Sequence, residues 1–254
     1  MASDDINVRA DLPPSVHPDV LSPLATALDQ PGTAGRSAYN AGRIALEDLR
    51  KSYAAIHDAE RSLRAAASPN ADIRMGPDGL HQHTGRDEEL SGAAERAFNR
   101  TAKVVDLRMA EMKAHASILE GNVADALKDP RGTAADGIAI AQEVRGHLRS
   151  LPDAERFAFI RKAIESDDRR SVAAVLAAPS FLSGLAPASQ AMVRDLAARR
   201  WAPVDHAQAQ AVAKAIERVT TASKVIVGRY SRVLKLADGP GGRATRAIGK
   251  LADG

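Results

Sequence analysis

The chain contains no cysteine. That removes a disulfide framework, a thiolate nucleophile and every Cys-rich zinc site from consideration. Aromatic residues make up only 3% of the 254 residues, so the large side chains that dominate most cores are scarce. No apolar run approaches the ~18 residues of a membrane span. The N-terminus, MASDDINVRADLPPSVHPDV, is acidic and broken by proline where a secretory signal would be basic and then apolar. Also missing are a Gly-rich phosphate loop, a GxSxG elbow, an HExxH helix and the paired Glu-x-x-His motifs of di-iron bundles. The commonest routes by which a helical chain becomes an enzyme are absent, so no catalytic residue, cofactor or metal is expected.

What is there is alanine. Fifty-one residues are Ala and 44% of the chain is hydrophobic. Ala favours helix more than any other residue yet buries little area, a mixture that suits long, slim helices at close range. The fold expected is therefore all-α, built from a long antiparallel helical hairpin, a small-helix domain and a long C-terminal amphipathic helix.

Residues 1–35 hold five of the prolines and no periodicity beyond a turn near Val20 to Leu28, and read as an acidic Pro-rich arm. From Arg36, Tyr39, Gly42, Leu46, Leu49, Tyr53, Ile56, Glu60, Leu63 and Ala67 recur in steps of three and four, the spacing that lines one helix face. Glu60 with Arg64 adds an i,i+4 pair. After Ser68-Pro69-Asn70 and the helix-breaking Gly76-Pro77-Asp78-Gly79, a second stripe runs through Phe98, Ala102, Val105, Met109, Met112, Ala116, Leu119, Val123 and Ala126. It is expected to start near Arg86, with Asp87, Glu88 and Glu89 in its first turn. The two rods, residues 36–128, would be roughly 50 and 60 Å long and fold back on each other. Residues 133–203 break into short helices punctuated by Pro152, Pro179, Pro187 and Pro203, a small-helix domain. Residues 204–254 form the last long helix and a tail, with Gly239-Pro240-Gly241-Gly242 as the stop.

Three features carry functional expectations. The hairpin stripes, Leu46, Leu49, Tyr53 and Ile56 with Phe98, Val105, Met109, Met112 and Leu119, exceed what so few aromatics can cover elsewhere, and predict self-association into a homo-oligomer. The turn Pro179-Ser180-Phe181-Leu182-Ser183-Gly184-Leu185 gathers Phe181, Leu182 and Leu185 between prolines. It reads either as a docking knob or as a plug for the small domain's own core. The charge is polarised: residues 1–35 carry five Asp against one Arg, whereas residues 199–254 carry eleven Lys or Arg against four acids. On the C-terminal helix, Lys214, Arg218, Lys224, Arg229, Arg232 and Lys235 project opposite the apolar line, a one-signed face for nonspecific contact with nucleic-acid phosphates, for an acidic partner surface or for the chain's own acidic arm, or simply a solvated face.

Histidines offer a third alternative, an enzyme with an unrecognised metal site. Asp78-Gly79-Leu80-His81-Gln82-His83 with Asp87 and Glu88 could share an ion, but a polar hairpin loop explains the same residues. Glu111 with His115 and Glu143 with His147 sit at i,i+4, a spacing that solvated helix faces also give.

The stretch AAVLAAPSFLSGLAPASQAMVRDLAARRWAP, Ala173 to Pro203, resembles a pattern in uncharacterised helical proteins encoded among the structural genes of tailed bacteriophages and prophages. It covers about an eighth of the chain and is not a catalytic motif, so no functional residues carry over. The resemblance implies a virion or assembly role, with capsid, portal or tail proteins as neighbours and the virion or host cytoplasm as the location.

Overall fold

The computed structural model describes residues 12–66, 83–129 and 135–237, and among these it contains helices and no strand. Two 3-10 turns, Pro14–Val16 and Pro18–Leu24, lead into α1 (Ala25–Leu28). The long helices α2 (Ala34–Ala66) and α3 (His83–Ala126) follow. Then come α4 (Ala135–Ser150), α5 (Asp153–Glu165), α6 (Arg169–Leu176), α7 (Ser180–Ser183) and α8 (Pro187–Trp201), and finally α9 (Pro203–Ala237). The expected stops at residues 68–79 and 239–242 lie outside the described residues. α3 begins at His83, three residues before Arg86, which puts Asp87, Glu88 and Glu89 beyond its first turn.

The chain forms two compact units. Their limits differ from the domains read from sequence, because the residues of α3 and α9 are divided between them. A periodic pattern marks where a helix runs, not where its neighbours change.

The first unit comprises residues 1–26, 36–113 and 214–254. Its core is the α2 stripe, with Tyr39, Leu46, Leu49, Tyr53, Ile56 and Leu63 all buried, joined by Val105 and Met112 of α3 and by Val219, Ile226 and Val233 of α9. α3 runs antiparallel to α2: a methyl group on Gly42 would lie 3.2 Å from Met112 Cε, and Thr101 Oγ1 donates to the Asp48 carbonyl at 3.5 Å. Phe98 stacks on Tyr230 with ring centroids 4.2 Å apart, which turns α9 back along α3.

The N-terminal segment is no free arm. Val16, Leu21 and Leu24 are buried in this unit, and the Arg218 guanidinium donates to the Val20 carbonyl. Leu21 Cδ1 would stand 3.0 Å from a Cβ at position 42, so at Gly42 this segment and α3 both approach α2 closely. Short 3-10 turns with Pro23 inside them have no 3.6-residue period, and for that reason their buried leucines left no stripe to read.

The second unit comprises residues 27–35 and 114–213. Leu148, Ile160, Ile164, Val172, Val175, Leu185, Val193 and Ala197 form its core, edged by Phe157, Phe159, Leu196 and Trp201. The α5–α6 turn shows how local chemistry sets it. Asp153 and Glu155 occupy the first turn of α5, where the macrodipole favours acids. Asp167 takes the left-handed backbone (φ 60) that Asp tolerates better than most, and Asp168 caps α6 by accepting from the Ser171 amide at 3.1 Å. Buried Gln208 donates to Gln30 Oε1 at 3.3 Å and to Thr33 Oγ1 at 3.5 Å, and a Cβ at Gly35 would meet its amide carbon at 2.7 Å.

Candidate functional site

The structure separates the three sequence-derived surfaces. The self-association stripe comes first. Leu46, Leu49, Tyr53, Ile56, Val105, Met112 and Leu119 are at most 6% exposed within the single chain. Their apolar area is already removed from water by the chain's own helices, so the expectation that these residues meet a second copy is corrected. Phe98 and Met109 are only half-buried. They line an open groove of about 290 Å³ in the first unit, with α3 and α9 as walls and Leu49 and Ile226 beneath.

The basic face is also revised. Lys214, Lys224, Arg232 and Lys235 are exposed, whereas Arg218 and Arg229 turn inward. Arg229 lies 4.5 Å over the Tyr53 ring and reaches Glu60 Oε2 at 3.3 Å. Glu60 is 3% exposed. Arg64 Nη2 holds its other oxygen at 2.7 Å, and Arg232 Nη1 approaches at 3.9 Å. A carboxylate in the core is tolerated only with such partners, so part of the presumed contact face is internal glue. The sequence carried a clue in Glu60 itself, an ionised residue in a heptad core position.

The Phe181 turn divides. Leu185 is 6% exposed and belongs to the core of the second unit, so it leaves the docking set. Phe181 and Leu182 are 72% and 37% exposed. The turn that carries them is pinned from inside. Arg149 Nη1 donates to the Leu182 carbonyl at 2.5 Å and Arg156 Nη1 to the Gly184 carbonyl at 2.7 Å. Arg156 Nε also donates to the Leu148 and Leu151 carbonyls at 3.1 and 3.0 Å. Gly184 closes α7 at φ 70, and a Cβ there would stand 3.1 Å from Arg156 Cζ, so both its conformation and its space favour glycine.

The histidine candidates scatter. His81 lies outside the described residues, as do the side chains of His83, Asp87 and Glu88. Glu111 is taken by Arg108 Nη1 at 2.8 Å, and exposed His147 meets the Phe159 ring edge-on at 5.2 Å. No group of three or more metal-ligating side chains is present among the described residues.

Sequence reasoning missed a polar cluster in the second unit. Asp195 Oδ1 lies 2.9 Å from His206 Nε2, and Asp195 Oδ2 lies 2.8 Å from Arg199 Nη2. The cleft beside it, lined by Val123, Pro187, Gln190, Ala191, Arg194, Ala198 and this pair, presents no hydroxyl among the described residues. An imidazole and a carboxylate without a nucleophile do not make a hydrolytic triad.

Among the described residues no helix is long and apolar enough to cross a membrane. Comparison with protein-family models, with curated proteins and with solved structures finds no match.

Proposed function

We propose that this chain is a noncatalytic structural component of a larger assembly, a bacteriophage virion protein that docks on a neighbouring capsid, portal or tail protein through the turn bearing Phe181 and Leu182. The observation that carries the reading is the exposure of Phe181 on a turn whose carbonyls are tied down by Arg149 and Arg156. Single exposed hydrophobes are ordinary, but a turn whose backbone is fixed in advance loses little backbone entropy when it docks, which suits an interface anchor. The resemblance of residues 173–203 to helical phage proteins supports the same context.

The test is incorporation. Gradient-purified particles from a host that encodes the chain should contain it, and Phe181→Ala should lower its content severalfold without changing the far-UV circular dichroism of the purified chain. Particles that lack the wild-type chain, or that take up F181A equally, would refute the proposal. The nucleic-acid alternative now rests on Lys214, Lys224, Lys235 and Arg232, fewer phosphate contacts than the six basic residues first suggested.

A further inference from the structure

Among the described residues, the groove of the first unit is walled by α3 and α9, with Leu49 of α2 beneath. Half-buried Phe98, Ala102 and Met109 of α3 face it, and Val227 of α9 stands 49% exposed at its lip. On the α3 wall two exposed charges interrupt the apolar lining, Asp106 and Lys113. Neither has an ion-pair or hydrogen-bond partner among the described residues. They are seven residues apart, two helical turns and ~10 Å on one flank of the helix.

That spacing keeps both charges on one flank of α3, where a twofold axis relating two copies of the helix can exchange them. A twofold axis passing between Met109 and Ala110 and perpendicular to α3 exchanges residue 106 with residue 113. Two copies of α3 laid antiparallel across it would set Asp106 of each copy beside Lys113 of the other, with Met109 against Ala110 at the centre. Arg108 and Glu111 also exchange about this point, but they project to the far side of α3 and pair with each other at 2.8 Å, so the charge complementarity of this flank rests on Asp106 and Lys113. A self-complementary surface of this kind is what an isologous dimer requires.

We infer that this groove is the docking site for a second copy of the chain, α3 against α3, antiparallel, with the Asp106–Lys113 pairs closing each end. The inference deepens the assembly reading above by naming a self-association surface, and it replaces the stripe that the core consumes. Met109 supplies an adaptable apolar contact at the centre, Ala102 and Ala110 allow close approach, and the charges fix register and direction.

The experiment is charge reversal read by sedimentation velocity of the full chain across the micromolar range. Wild type should dimerise. Asp106→Lys and Lys113→Asp should each weaken the dimer about tenfold or more, because each places like charges at both ends. The combined D106K/K113D chain should return to within about threefold of wild type, since the exchanged pair is again complementary. Both positions are exposed and bond nothing among the described residues, so far-UV circular dichroism should be unchanged in all three. At 1 M salt, where the Debye length is ~3 Å, the single variants should recover much of their loss. A wild-type chain that stays monomeric, single reversals without effect, or a double reversal that fails to restore association would each overturn the interface. A dimer that never enters a particle would leave the interface standing and sink the virion proposal. Particle uptake of a monomeric chain would do the opposite.

Discussion

Arg229 and Arg232 look equivalent in sequence, three residues apart on a basic helix, yet the structure assigns them different weights. Arg229 is 19% exposed, pairs with Glu60 at 3.3 Å and covers the Tyr53 ring at 4.5 Å. Arg232 is 58% exposed and stands 3.9 Å from the same carboxylate. Orphaning a buried charge costs ~3–5 kcal/mol. Arg229→Ala does not orphan Glu60 completely, because Arg64 still reaches it at 2.7 Å, so the ion-pair loss falls at the lower end or below, at ~2–3 kcal/mol. Loss of the cation–π contact adds ~0.5–1 kcal/mol, for a total of about 3 kcal/mol. In a chain of this length that lowers Tm by roughly 6–12 °C. Arg229→Glu sets a second carboxylate beside Glu60 and should cost more than ~4 kcal/mol. Arg232→Ala breaks an exposed contact and should cost ~0–1 kcal/mol. Replacing both partners with apolar residues, Glu60→Leu with Arg229→Met, should recover most of the loss, since neither charge is left unpaired. Thermal and urea unfolding followed at 222 nm provide the assay. The reasoning fails if R229A is no more destabilising than R232A, or if R229E melts with the wild type.

Three further predictions address other parts of the first unit. Gly228 has open space around it whereas Gly42 is crowded by Leu21 and Met112, so Gly228→Ala should stabilise by ~0.5–1 kcal/mol through helix propensity. Gly42→Ala should be neutral to ~2 kcal/mol destabilising as overpacking offsets that gain, and equal stabilisation by the two substitutions would discredit the close-approach argument. Ser52 is 2% exposed and its hydroxyl has no partner; Ser52→Ala should raise stability by ~1 kcal/mol or more in denaturant titration, and a loss would show the hydroxyl to be satisfied. Burial, then the nearby Glu95 charge, raises the Tyr230 phenol above its ordinary value of 10.0. The folded chain therefore disfavours tyrosinate, and the stability tied to the neutral phenol is present below the unfolded-state value and lost as pH rises through the folded one. Wild type should lose stability relative to Tyr230→Phe as pH rises past ~10, and a constant difference between the two would contradict the direction of the shift.

The heptad steps from Tyr39 to Leu63 determined α2 and the face it buries, because a helix's own geometry decides which residues share a side, and every residue of that stripe between these two is buried. Prolines and glycines likewise marked most breaks, since a missing amide or a left-handed residue acts on the backbone alone. What a helix packs against is not local, and there the reading ran out. Projection of α9 drew its apolar line through Val212, Ile216, Val219, Ser223, Ile226, Tyr230, Val233 and Ala237, but Ile216, Ser223 and Tyr230 are only half-buried while Ala211, Ala215 and Ala222 are buried, and Arg218 and Arg229 lie on that flank. Alanine serves either a packed or a solvated face, so the width of a buried stripe in an Ala-rich helix cannot be read from its residues. The docking turn shows the same division. Its prolines and Gly184 were legible as a turn, whereas only the contacts of Arg149 and Arg156 from α4 and α5 decided that Leu185 points into the core and Phe181 out to solvent, because orientation of a short turn is set by the partners that satisfy its carbonyls.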